Sequence, residues 1–508
     1  MFASSECPAS KDKRILEANQ GGVRASRALI QTWDTYRKAD AILDEMIVRI
    51  QMCVARILSQ LEVAKELDST LTLEHKNIQK RVLDIFLVKL ETATQRFARL
   101  SKPAKLGIAK KLKIAFLKDA FEETIAELES WQKLYEPFWF CWIKLASPAV
   151  ENALNNAVQS GPPIVSNFNR AARDFRRAFS EASPESQSVF IFKEAMDGYT
   201  ETTIPFHTAA VAVAPNGSQR LIVDVVASGA SRAKDVRDFA RRLRQSDPFI
   251  SGLLSCKGVV RHADKAGFSF LFRVPERYTV VRSLRQLLLS GETHQSLTDR
   301  FEMAKQLANA VYYVHLYGFV HKNLRPETIL GLGKTDEGGI PITSCLVGFN
   351  VIRNADGQTY PVIDRRWESN LYKHPLRQGS HADYFVMQHD IYSLGVCLLE
   401  IGMWETFITY DSPGGEPQRS KALCLDKDEL ELSNASALKD HLVSLSRSSK
   451  LTAKMGTKYS KVVEMCLTCL DEGNVYFGDQ QEFEDDDGLS VGLRYIEKVL
   501  SAINGISL

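Results

Sequence analysis

The sequence predicts a multidomain protein of mixed α and α+β class, with an N-terminal helical bundle followed by a two-lobed α+β unit. Three observations predict it. Apolar residues recur at helical spacing through the first 160 positions, short β-prone runs appear only after about residue 188, and helical patterning returns from about Ser296. A chain of 508 residues, 44% hydrophobic and 25% charged, has room for two to four domains and can bury full cores.

The elements follow in chain order. A polar segment, 1–25, precedes the bundle at 26–160. Leu43, Met46, Ile50, Val54, Ile57 and Leu61 form a first stripe; Ile78, Val82, Ile85, Leu90, Ala93, Phe97 and Leu100 form a second. Ile114, Leu117, Phe121, Ile125 and Leu128 form a third. Each has the three-and-four spacing of an amphipathic helix, and antiparallel packing of three or four such helices is the expected result. Ser160-Gly-Pro-Pro163 stops the run and opens a linker, 161–187, which holds a short basic helix at Arg170–Phe179. The small lobe is placed at 188–289, with strands at Val189–Phe192, Ala209–Ala214, Leu221–Val226 and Phe268–Arg273 and a charged helix at Lys234–Arg244. The large lobe is placed at 290–508.

Composition narrows the function classes. A net charge of +2 gives no global case for nucleic acid or a membrane surface, so no nucleic-acid partner is expected. Nine scattered cysteines suit reduced thiols in a cytoplasmic protein. The close pair Cys466 and Cys469 lies in an apolar helical stretch with no second pair beside it, so structural burial is expected rather than a metal. Met1 to Gln20 is polar, and the apolar run Pro137-Phe-Trp-Phe-Cys-Trp-Ile143 is too short to span a bilayer. The acidic run Glu482–Asp487 is expected to be a solvated loop.

Three motifs carry the chemistry: His321-Lys-Asn-Leu-Arg-Pro-Glu-Thr-Ile-Leu330, Leu346-Val-Gly-Phe-Asn350, and Asp390-Ile-Tyr-Ser-Leu-Gly-Val-Cys-Leu-Leu-Glu400. Their order and spacing resemble the eukaryotic protein-kinase fold over residues 188–508, with Pro375 of Tyr372–Pro375 falling where the activation region closes. The resemblance implies that His321, Phe349 and Asp390 keep structural positions, and that the reactive groups are gone. Asn323 stands where the family carries its catalytic carboxylate; Thr328 and Gly348 stand where it carries magnesium ligands. Asp224 falls where the third strand offers a phosphate-binding Lys. A like charge about 4 Å from phosphate costs on the order of 4 kcal/mol at an effective dielectric near 20. The helix Lys234–Arg244 has no Glu for the usual ion pair, and Glu194–Thr203, read as the glycine-rich loop, contains only Gly198. Lys322 replaces the Arg that grips a phosphorylated activation segment, and binds such a group less specifically.

A helical bundle ahead of an inactive kinase-like region resembles the fungal HeLo-type proteins and the mixed-lineage kinase-like cell-death effectors. The residues that carry this are Tyr36-Arg-Lys-Ala-Asp40 to Leu61, Lys118 to Trp131, and Phe138-Trp-Phe140. In those families the bundle acts on membranes, often through an apolar first helix. Here Ala3–Gly22 is polar, so either that activity is lost or the bundle is an interaction module. Lys102, Lys105, Lys110, Lys111, Lys113 and Lys118 form a basic patch that could meet an anionic leaflet, at about 1 kcal/mol per Lys. The expectation is a catalytically inactive signalling or cell-death regulator, cytoplasmic and recruited to a membrane in one reading, with protein partners or self-association. No cofactor or metal is expected, although ATP binding without turnover stays open. Two alternatives stand beside it: an unconventional ATP-dependent kinase using a relocated acid such as Glu327 or Asp364, and a non-switching scaffold.

Overall fold

The computed structural model describes residues 41–67, 110–144, 148–160, 163–179, single helical positions between 80 and 95, and 188–506. In the last span 227–231, 245, 263–266, 292–294, 335–340, 355–365, 379–382, 412–414, 425–433, 473 and 475–494 fall outside the description. The chain divides into two units, Met1–Ser180 and Glu181–Leu508.

In the first unit four helices are described: α1 (Ala41–Leu67), α2 (Lys110–Lys144), α3 (Pro148–Ser160) and α4 (Pro163–Arg177). The first stripe is the buried face of α1, where Ile50, Val54, Ile57 and Leu61 are inaccessible to solvent. The aromatic segment after Pro137 forms the last turns of α2. Trp131 stacks on Tyr135 at 4.7 Å and meets the tilted Phe86 ring at 4.1 Å, and Trp139 is fully buried. Most of the second stripe lies outside the described residues. The segment read as a linker departs from expectation. Pro163 starts α4 as a first-turn proline can, and Asn169 Nδ2 donates to Ser59 Oγ at 2.8 Å while Ala172 and Phe175 are buried. The basic residues of α4 therefore hid an apolar face that completes the bundle.

The second unit starts with a six-stranded sheet in the order β1-β5-β6-β4-β3-β2. Its strands are β1 (Phe190–Ile191), β2 (Thr200–Thr203), β3 (Ala210–Val213), β4 (Arg220–Val226), β5 (Cys256–Arg261) and β6 (Phe268–Arg273). Only β1 pairs in parallel, with β5; the other pairings are antiparallel. The strands β2 and β5 carry Glu201, Lys257 and Gly258, which break the apolar runs that marked the others. One helix, α5 (Ala233–Leu243), lies between β4 and β5 in sequence and buries Val236, Phe239, Ala240 and Leu243.

A mostly helical half follows, with α6 (Leu284–Leu289), α7 (Leu297–Leu316), α8 (Met387–Met403), α9 (Ala435–Ser446) and α10 (Ser449–Leu467). Ser296 and Asp299 close a capping box on α7, which fixes where that helix starts. Every residue of α8 from Gln388 to Met403 is buried, so this helix is the centre of the unit. Glycine allows its close approach to α10: a Cβ on Gly395 would lie 2.8 Å from Cys466 Cβ. Cys466 and Cys469 are buried free thiols. Among the described residues no helix is long and apolar enough to cross a membrane.

Candidate functional site

The loop 321–328 runs between β7 (Phe319–Val320) and β8 (Ile329–Gly333) and is held from behind by Asp390, in the first turn of α8. Asp390 Oδ2 accepts the His321 N–H at 2.8 Å, and Oδ1 accepts the Lys322 N–H at 2.9 Å. His315 Nε2 lies 3.1 Å from Oδ2. Burial alone would raise this carboxyl; its hydrogen bond with His315 and the charges of the two histidines outweigh burial and hold it below the usual range. Lys322 adopts a left-handed backbone, φ 68°, which turns the loop sharply after His321. The His321 ring meets Phe349 at 5.0 Å, and His321 Nε2 lies 2.9 Å from the Val347 carbonyl.

Phe349 is the hub of an aromatic cluster. Phe239 of α5 lies 4.8 Å away, and Phe272 and Phe270 of β6 lie at 5.9 and 6.5 Å. Sheet, helix α5 and loop 321–328 thus converge on one ring.

In front of the loop, the sequence-predicted residues meet in new pairings. Asp224, in the middle of β4 opposite Phe270, is fully buried. Its Oδ2 accepts the N–H groups of Gly348 and Phe349 at 2.9 and 2.8 Å, while Oδ1 has no hydrogen-bond partner. Burial pushes this carboxyl up to about 6, and the two N–H bonds offset only part of the shift. Gly348 has φ +79°, and a Cβ there would fall 2.8 Å from Thr328 Cβ and closer still to its Cγ2. Thr328 is buried, with Oγ1 3.0 and 2.9 Å from the carbonyls of Asn323 and Arg325. Asn323 Nδ2 donates to Asn350 Oδ1 at 3.1 Å. The five positions expected to carry altered chemistry, Asp224, Lys322, Asn323, Thr328 and Gly348, therefore lie in one region around His321. They form backbone ties and an amide pair, with no converging set of carboxylates among the described residues.

The turn between β2 and β3 covers this region from the sheet side. It spans 204–209 and has no glycine. Of the Glu194–Thr203 segment read from sequence, Lys193–Met196 is a short helical turn and Thr200–Thr203 is the strand β2. Phe206 is left-handed at φ 59° and packs on Tyr410 at 5.0 Å; the Pro205 carbonyl accepts from Ser283 Oγ at 2.7 Å. His207 is pushed down to about 4, first by burial and then by the Arg325 charge, with Glu327 opposing. The ring accepts the Ala209 N–H at Nδ1, 2.6 Å away.

Sequence reading missed a second buried network. Arg285 of α6 donates to Glu327 at 2.9 Å, to Glu400 at 3.0 Å and to Tyr372 at 2.5 Å, and also to Thr406. Tyr372 donates to Glu400 at 2.8 Å, and the Phe407 N–H donates to the same carboxylate at 2.7 Å. Burial would raise the Glu327 carboxyl, but the charges of Arg285 and Arg325 override it and hold it low. Nothing local in the sequence links Arg285 to Glu400, 115 residues away.

Pro375 opens a single helical turn, Pro375–Arg377, whose preceding His374 Nδ1 accepts the Leu376 N–H. Of the basic patch, Lys102 and Lys105 lie outside the described residues, as does Asp364. Lys110, Lys111 and Lys113 fall in the first turns of α2, and Lys118 is half-exposed, 3.9 Å from Glu122. Among the described residues no cluster of His, Cys, Asp or Glu could hold a metal ion. No protein-family model matches the chain.

Proposed function

We propose that this protein is a catalytically inactive, kinase-like regulator whose N-terminal bundle supplies the output by self-association or membrane contact. One observation carries the reading: Asp224 spends its buried carboxylate on the Gly348 and Phe349 N–H groups, at 2.9 and 2.8 Å. A phosphotransferase needs a cation on that strand and a carboxylate at that turn. Here the acid sits on the strand and the turn has none. Thr328 fills the space that a side chain at 348 would need, and Asn323 offers an amide with no useful basicity.

Other features support the kinase-like part. Five antiparallel strands with one helix after the third, then the loop, the turn and the buried α8, follow the order that the motifs imply. The retained His321, Phe349 and Asp390 make structural contacts to one another's segments. For the unconventional-kinase alternative, Glu327 is bound to Arg285, and Asp364 lies outside the described residues. For the bundle, the HeLo-type reading draws on the aromatic turns of α2. Val48 and Met52, one helical turn apart on α1, expose apolar surface that suits self-association or an interface with lipid.

The test is direct. The purified chain should transfer no phosphate from magnesium-ATP to itself or to generic substrates, and magnesium should not enhance any thermal shift given by ATP. Asn323→Asp should leave both results unchanged. Phosphate transfer abolished by substitutions in residues 321–327 would overturn the reading. Vesicle leakage and oligomerisation by the full chain, lost on deleting residues 1–160, would separate the regulator from a passive scaffold.

A further inference from the structure

We propose that residues 188–199 form a releasable strap, which when seated hides an apolar face of the six-stranded sheet and on release uncovers it. The inference stands independently of the proposed function, since it uses only the packing of the sheet.

The sheet has two faces. Phe270 and Phe272 of β6 turn toward Phe239 of α5 and toward Phe349. Alternation along the strand puts Leu271, with its β4 partner Val223, on the opposite face. There Leu221, Val223, Leu271, Ala212 of β3 and Val260 of β5 make a buried apolar cluster, and Ile191, Met196 and Tyr199 pack over it. The order of strands shows the path. β1 lies at one edge, beside β5, and β2 at the other, beside β3. The chain between them therefore crosses the face from edge to edge, with the helical turn Lys193–Met196 on the way.

The strap is held lightly for the surface it hides. β1 makes two ladder pairs with β5, in parallel, whereas β4 and β6 make six. Parallel pairing is also slightly weaker per residue. The Val259 N–H donates to the Val189 carbonyl at 2.8 Å. The helical turn buries none of its residues, and Phe192 is 85% exposed. Ile191, Met196 and Tyr199 are half-buried, while the side chains beneath them are fully covered. Segments with few buried contacts open at the low end of the range of local stabilities.

Each end has its own fastening. At β1, Gly258 makes the room: a Cβ there would fall 3.0 Å from both Ile191 Cγ2 and the Val189 carbonyl oxygen. At the far end the Tyr199 hydroxyl donates to Gln219 Oε1 at 2.8 Å. Lys257 donates to the same oxygen at 2.8 Å, and its ammonium group stands 5.5 Å over the Tyr199 ring. Lys257 and Gly258 are neighbours on β5, so one strand carries both fastenings. The chain enters the strap from the boundary between the two units at Ser180 and Glu181. A displacement there reaches β1 before any other strand of the sheet. Release would bare a contiguous apolar surface of the kind that meets other chains.

The experiment is native-state hydrogen exchange on the full chain, read at the Val259 N–H, whose acceptor lies on the strap, and at the amides of the β4–β6 ladder. Val259 should be about a hundredfold less protected than the best-protected amides of that ladder. Gly258→Val should lower Val259 protection by a further factor of about ten, raise binding of a hydrophobic dye and speed chymotryptic cleavage after Phe192, with the ladder unmoved. Tyr199→Ala, at the other end, should do the same, because the strap leaves as one piece. Equal protection of Val259 and the ladder in the unsubstituted chain would overturn the proposal, since the strap would then open only with the whole sheet. A Tyr199→Ala chain that keeps its Val259 protection or binds no more dye overturns it as well; faster cutting after Phe192 would then report a fraying end. Should Gly258→Val strip protection from the ladder too, the sheet itself is damaged and Tyr199→Ala decides alone.

Discussion

The two sides of loop 321–328 are held by one aspartate each, and the two could hardly differ more in how they use it. Behind the loop, Asp390 has both oxygens engaged, by two N–H groups and His315, and its carboxyl is held low. In front, Asp224 uses one oxygen for two N–H groups, leaves the other without a partner, and has its carboxyl pushed up to about 6. The rear tie is a fully answered charge. The front tie is a poorly solvated one, with one oxygen unanswered. On the proposed reading, the rear tie holds the loop's architecture and the front tie occupies the place of the chemistry.

The largest effect should come from the rear. Asp390→Ala leaves two buried N–H groups and His315 without an acceptor, so denaturant unfolding should show a loss of about 3–5 kcal/mol. A loss below about 1 kcal/mol would mean that the loop is held by other contacts.

Next comes the attempt to rebuild the front. Gly348→Asp places a Cβ 2.8 Å from Thr328 Cβ on a backbone of φ +79°. Overpacking and left-handed strain together should cost about 2–4 kcal/mol. Adding Thr328→Asn should not rescue it, because the obstructing Cβ is present in every residue but glycine. Recovery of stability by the double variant would show that the front had kept room for a metal site.

A smaller, pH-dependent effect sharpens the contrast. Asp224 binds its proton more tightly in the folded chain than at its ordinary value of 3.8. Its stabilising contribution is therefore fully present below that value and is lost as pH rises through about 6. Asp224→Asn removes this titration. The stability of the wild type relative to Asp224→Asn should fall by about 2–3 kcal/mol between about pH 4 and about pH 7. A difference independent of pH would place the Asp224 carboxyl in the usual range.

Much of this was legible in the sequence, for physical reasons that vary along the chain. The apolar spacing of α1 and the run of α8 marked their helices because burial writes a period into sequence. The loop, turn and α8 motifs located His321, Gly348, Phe349 and Asp390, and Asp224 was placed on the right strand by its branched neighbours. What Asp224 binds was not legible, since its partners are backbone N–H groups that no side chain encodes. The network around Arg285 was invisible because its members meet only after folding. The strand β2 was missed because all four of its residues are exposed, and α4 because its polar face dominates its composition.

The central claim is that a carboxylate on β4 fastens the 348–349 turn where a phosphate-binding cation would otherwise reach. Asp224→Lys, followed by thermal melting with and without magnesium-ATP, tests it most directly. A buried ammonium group cannot accept the two N–H bonds, so the account predicts a loss of about 3–5 kcal/mol and no rise in melting temperature with nucleotide. A lysine variant that keeps its stability and is protected by magnesium-ATP would contradict it.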